Sequence, residues 1–119
     1  MKSRIESFRH ALRGCRTLLA TQPHGRFHVV AGLAVFGVAC LCRVTATEWA
    51  LLILCIMAVW IAEAINTAIE FLADEVSLDW RERIKHAKDI SAFAVLIAAT
   101  GSTMIGIIIL FPYILKEMK

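Results

Sequence analysis

The chain is first bounded by what it lacks. There is no G-x-x-x-x-G-K-[ST] loop, no kinase glycine loop and no H-R-D segment, so the soluble nucleotide-binding signatures are missing. The four cysteines, Cys15, Cys40, Cys42 and Cys55, lack the paired spacing of a zinc site or a secreted disulfide framework. They read instead as small buried apolar residues. No short apolar core followed by a small-residue cleavage site lies near the start, so a removable signal peptide is not expected. Polar sequence is scarce as well. Hydrophobic residues make up 59% of the 119 residues and the mean hydropathy is +0.69, far above an ordinary soluble domain. The chain reads as one integral membrane domain over residues 1–119.

Taken in order, residues 3–21 place Ile5, Phe8, Leu12, Cys15 and Leu19 on one side of a helix, with Arg9, Arg13 and Arg16 elsewhere on its circumference. That is the pattern of a basic amphipathic helix lying in the membrane interface, and Ser3 with Glu6 offers a capping box to start it. Gln22-Pro23-His24-Gly25 breaks it. A first span is predicted over about 27–44, a second over 49–73 opened by Trp49 as an interfacial aromatic, and a third over 90–115 closed by Pro112, Tyr113 and Lys116. The charged segment 75–89 between the last two reads as a solvent-facing turn or a helical extension. The fold class is therefore all-α: a surface helix plus three transmembrane helices.

Lysine and arginine are unevenly divided. Lys2, Arg4, Arg9, Arg13, Arg16 and Arg26 precede the first span, and Arg81, Arg83, Lys85 and Lys88 fill the second loop, against Arg43, Lys116 and Lys119 on the other side. The positive-inside rule then places the N-terminus and the 75–89 loop in the cytoplasm and the C-terminus outside.

The second span carries the anomaly. Glu63, Asn66, Glu70 and Asp74 recur at offsets of three, four and four, which at about 100° per residue puts them within roughly 60° of one helix face. Ionisable groups at membrane depth are costly and mark function by default. Three spans and one surface helix cannot easily shield four such groups inside a single subunit. Ala98, Ser102 and Gly106 repeat at four-residue spacing in the third span, a small-xxx-small stripe that suits self-association and also fits packing within the chain. Physically, the stripe with Lys88 and Asp89 supplies the parts of a phosphoryl-transfer site: carboxylates for magnesium, donors for phosphate oxygens and a base near an accepting hydroxyl. A proton or cation pathway, and a polar seam that fixes helix register, explain the stripe as well at this level.

The motif E-x-x-N-T-A-I-E-x-x-x-D, followed by A-K-D and an A-V-L-I span, resembles the small integral-membrane lipid kinases of bacteria, the diacylglycerol kinase and undecaprenol kinase family. The resemblance runs from F-R-H-A-L-R-G to G-I-I-I-L-F-P, and the spacing 3, 4, 4, 14, 1 through Glu63, Asn66, Glu70, Asp74, Lys88 and Asp89 is retained. It implies a homotrimer in the bacterial inner membrane, with active sites shared between neighbours, that moves the γ-phosphate of Mg-ATP to a lipid hydroxyl at the cytoplasmic interface. It further implies Glu63 as general base, Glu70 as a magnesium ligand, Asn66, Lys88 and Asp89 around the phosphates and nucleotide, and Asp74 as a further polar group of the site. Gln22 falls where many members have a second metal-binding carboxylate, and Asp79-Trp80-Arg81 departs from the nucleotide-contacting pattern at that place. The acceptor, diacylglycerol or undecaprenol, is not encoded in any readable way, and no nucleic-acid partner is implied. The different-class alternative is a small oligomeric ion-translocating or accessory membrane protein, which leaves Lys88-Asp89 and the full spacing unexplained.

Overall fold

The computed structural model describes residues 2–117, with side chains from Arg4 to Lys116. The side chain of Ser3, half of the expected capping box, and Lys119 lie outside the described residues. Four helices follow in order: α1 (Lys2–Thr21), α2 (Pro23–Cys42), α3 (Ala46–Val76) and α4 (Glu82–Glu117).

Each break has a local cause. Gln22 is extended, at φ −109° and ψ 110°, because the proline that follows it disfavours the helical region, while Pro23 itself sits at the first position of α2 where no N–H is needed. Across that elbow Arg26 donates to the carbonyls of Leu19 and Ala20, both at 2.7 Å, and satisfies the last carbonyls of α1. Arg43 ends α2 in the left-handed conformation, at φ 51°. Thr45 then starts α3 with a reciprocal capping box to Glu48, and Tyr113 of α4 donates to the same carboxylate at 2.8 Å.

Several expected boundaries move. The first span begins at Pro23 rather than Phe27, since Pro23 starts a helix as readily as it ends one. The helix of the third span, α4, begins at Glu82, eight residues before the predicted span, because the charged segment is itself helical. Lys85–Asp89 at 2.9 Å and His86–Glu82 at 3.6 Å are i,i+4 pairs that support it. α4 runs through Pro112 and ends at Glu117, two residues past the predicted end of the third span. Trp49 is half-buried against Phe36, with ring centroids 4.8 Å apart, beside the cluster of Ala39, Val44, Leu52, Ile109 and Leu110. Of the cysteines only Cys55 is buried, whereas Cys15 and Cys40 face outward.

α2, α3 and α4 are each long and apolar enough to cross a membrane, and the chain is an integral membrane protein. The subunit measures 57 × 43 × 21 Å, so it is about two helices thick. Only 22% of the most apolar stretch of α3 is buried, and 11% in α2 and α4, which leaves wide apolar faces for lipid or for other chains. At about 1.5 Å per residue the 31 residues of α3 reach about 46 Å, well beyond a hydrocarbon core of about 30 Å. Its charged end and the first turns of α4 therefore stand clear of the acyl region.

Candidate active site

α3 and α4 pack along their length, and the polar stripe runs up this pair toward the charged end. Exposure rises along it: Glu63 is 4% exposed, Asn66 and Glu70 are half-buried, and Asp74 is exposed. A single subunit thus covers Glu63 but not the stripe as a whole, in keeping with the expectation that one chain cannot shield all four groups. Glu63 and Glu70 are seven residues apart, which separates them by about 10 Å along the helix.

Around Glu70 the structure joins three parts of the chain. Asn66 donates its Nδ2 to Glu70 Oε1 at 3.2 Å, and Gln22, from the elbow between α1 and α2, brings Nε2 to within 3.5 Å of Glu70 Oε2. Gln22 and Glu70 lie 48 positions apart in sequence, so only the fold brings them together. Ser91 of α4 donates Oγ to Asn66 Oδ1 at 2.7 Å. Farther up, Lys88 Nζ lies 3.0 Å from Asp74 Oδ1, an ion pair between α4 and α3. Asp89 faces away from this set and pairs with Lys85 on the exposed side of α4.

Two residues of this region escaped sequence reading. Ser91 is buried and bonds across to the stripe, although nothing in D-I-S distinguishes it from an ordinary helical serine. Thr67 is 5% exposed, and its Oγ1 has no hydrogen-bond partner among the described residues. It sits one turn beyond Glu63 and lines an apolar groove of about 510 Å³ between α1 and α3, walled by Leu18, Trp60, Ala64 and Phe71.

The donor set fits a hard cation held jointly with phosphate. Among the described residues no three His, Cys, Asp or Glu side chains converge, so there is no dedicated protein cage. Magnesium needs none, because it keeps several waters and commonly takes one or two carboxylates plus phosphate oxygens. Glu70 supplies one carboxylate, and Gln22 can offer its amide oxygen once its carboxamide turns over from the present contact.

One member of the small-xxx-small stripe of α4 bonds within the subunit and another borders open space. Ser102 donates to the Cys55 carbonyl of α3 at 3.0 Å, and Gly106 lines the cleft between α2, α3 and α4.

Comparison with known proteins bears on the family. The family model described as prokaryotic diacylglycerol kinase matches residues 9–110. A diacylglycerol kinase of Synechocystis sp. is 39% identical over 96% of the chain, which spans 66% of that relative's length. The undecaprenol kinase of Bacillus subtilis is 35% identical, covering 91% of this chain and 88% of its own, and the diacylglycerol kinase of Escherichia coli is 31% identical, covering 92% and 89%. With three helices long and apolar enough to cross a membrane and a family match over most of its length, the chain belongs to the prokaryotic diacylglycerol kinase family of lipid kinases.

Proposed function

We propose that this protein transfers the γ-phosphate of ATP to the hydroxyl of a membrane lipid alcohol, diacylglycerol or undecaprenol, at the cytoplasmic face of the bacterial inner membrane. The observation that carries the reading is the graded stripe: a buried carboxyl at one end, an ion-paired lysine at the wet end, and an apolar groove alongside. Glu63, at the covered end, takes the proton from the lipid hydroxyl, and Thr67 one turn away offers that hydroxyl a hydrogen-bond partner. The groove between α1 and α3 receives the lipid chain. Asn66 and Lys88 bind and orient the phosphates, Asp89 would have to turn from its pairing with Lys85 to reach the nucleotide, and Asp74 holds Lys88 in place until phosphate takes over the ammonium. Glu70, with Gln22, would hold magnesium, which neutralises charge on the transferring phosphoryl group. The amphipathic pattern of α1 keeps that helix in the interface, and the wide apolar faces support a homotrimer whose neighbours complete one another's sites.

The test uses purified protein in detergent with Mg-ATP labelled at the γ-phosphate and diacylglycerol, undecaprenol or water as acceptor. Label in one lipid fraction assigns the acceptor; label in neither rejects the reading.

Gln22→Glu places a second carboxylate beside Glu70. We expect the magnesium concentration for half-maximal rate to fall about three- to tenfold, as suits a site that gains a hard anionic oxygen. Without magnesium the two close carboxylates repel, so the cation should raise the variant's melting temperature more than that of the wild type. An unchanged requirement removes position 22 from the metal site.

A further inference from the structure

Asn66 is the only asparagine in the chain and Gln22 the only glutamine, and both carboxamides donate to Glu70. A carboxamide has two faces of opposite character, so its use depends on which way round it is held. For Asn66 that choice is made from α4. Ser91 is 7% exposed, and its hydroxyl has one proton with two acceptors in reach, Asn66 Oδ1 at 2.7 Å and the Lys88 carbonyl at 2.9 Å. The Lys88 carbonyl lies inside α4, where the backbone ladder already supplies a donor. Asn66 Oδ1 has no such supply. If the carboxamide were reversed, Oδ1 would face the carboxylate of Glu70, two acceptors in contact, and the amide hydrogens would turn to Ser91.

We propose that Ser91 is a positioning residue that fixes the orientation of the Asn66 carboxamide, so that its amide hydrogens stay on Glu70 and hold that carboxylate in the pose used for phosphoryl transfer. The role in transfer rests on the lipid-kinase reading; the orienting role does not. Ser91 lies one turn beyond Lys88 on α4, so the same bond helps set the register at which Lys88 meets Asp74 across the helix pair. Loss of the hydroxyl removes the one side-chain donor that, among the described residues, reaches Oδ1, and lets the amide rotate.

The two side-chain amides make the test direct. In ¹⁵N-labelled protein in detergent, the side-chain amide region contains one Asn and one Gln pair, both from this site. Ser91→Ala should move the Asn66 pair toward the position of a free amide and speed its exchange with solvent. Ser91→Thr, which keeps the hydroxyl, should leave it near the wild-type position. In the labelled-phosphate assay Ser91→Ala should lower kcat about 5- to 50-fold with KM for ATP changed less than twofold. In an Asn66→Ala background the same substitution should cost less than twofold. An Asn66 pair unmoved by Ser91→Ala overturns the assignment whatever the activity. A moved pair with unchanged kcat, or an equal loss in the Asn66→Ala background, overturns its role in transfer. A pair moved by Ser91→Ala, together with a wild-type protein that phosphorylates no lipid, supports the orienting role and rejects the kinase reading instead.

Discussion

Glu63→Gln is expected to reduce lipid phosphorylation by about 10²- to 10⁴-fold, the range over which a positioned general base contributes. The substitution is nearly isosteric, so the 4% exposed site gains no cavity and the α3 packing is kept. It removes the ability to accept a proton and leaves a group that still hydrogen-bonds. Among the described residues no side-chain hydrogen bond or ion pair holds Glu63, so no structural contact is lost with the charge. Burying an unpaired carboxylate costs more than burying an amide, so the variant should be at least as stable as the wild type. Nucleotide binding should be unchanged, since Lys88 and Asp74 lie three turns up the helix. The measurement is kcat with each lipid, together with the nucleotide dissociation constant and the melting temperature. Transfer near the wild-type rate removes Glu63 from the base role.

Glu70→Gln is expected to lower kcat/KM by on the order of 10²- to 10³-fold at ordinary magnesium, comparable to losing one preorganised electrostatic partner of the transition state. Unlike the loss at Glu63, this one should be partly restored by raising magnesium, because the defect is in holding the cation. The proximity of Gln22 Nε2 and Glu70 Oε2, at 3.5 Å, gives a sharper form of the prediction. Exchanging the two residues, as Gln22→Glu with Glu70→Gln, keeps one carboxylate and one carboxamide in the same place. The double variant should recover at least about tenfold over Glu70→Gln alone, a coupling of the size seen between residues in contact. A double variant no better than Glu70→Gln would show that the two positions do not share a ligand.

The spans and the stripe were legible because both rest on local pattern. Long apolar runs give membrane helices, and the offsets 3, 4 and 4 put Glu63, Asn66, Glu70 and Asp74 on one face wherever that helix goes. Boundaries were read less well where a residue allows two outcomes. Pro23 starts α2 as readily as it stops α1, and Glu82 to Asp89 is polar enough for a loop yet paired well enough for a helix. The capping box of Thr45 and Glu48 has a plain sequence signature, T-A-T-E at the start of α3. Ser91, Thr67 and Arg26 were not legible at all, because the partners of the first and last, and the groove beside the second, exist only after folding. The Gln22–Glu70 contact came from resemblance, since a separation of 48 residues leaves no trace in composition or periodicity.

That one subunit covers Glu63 bears on how the protein is made. A newly synthesised chain meets lipid before it meets its partners, and a bare carboxyl at mid-depth would oppose its partition from the translocation machinery into the bilayer. Here the most deeply placed acid is already screened by the chain that carries it. Biogenesis can therefore proceed one polypeptide at a time, with the remaining polar groups of the stripe increasingly exposed toward the charged end of α3.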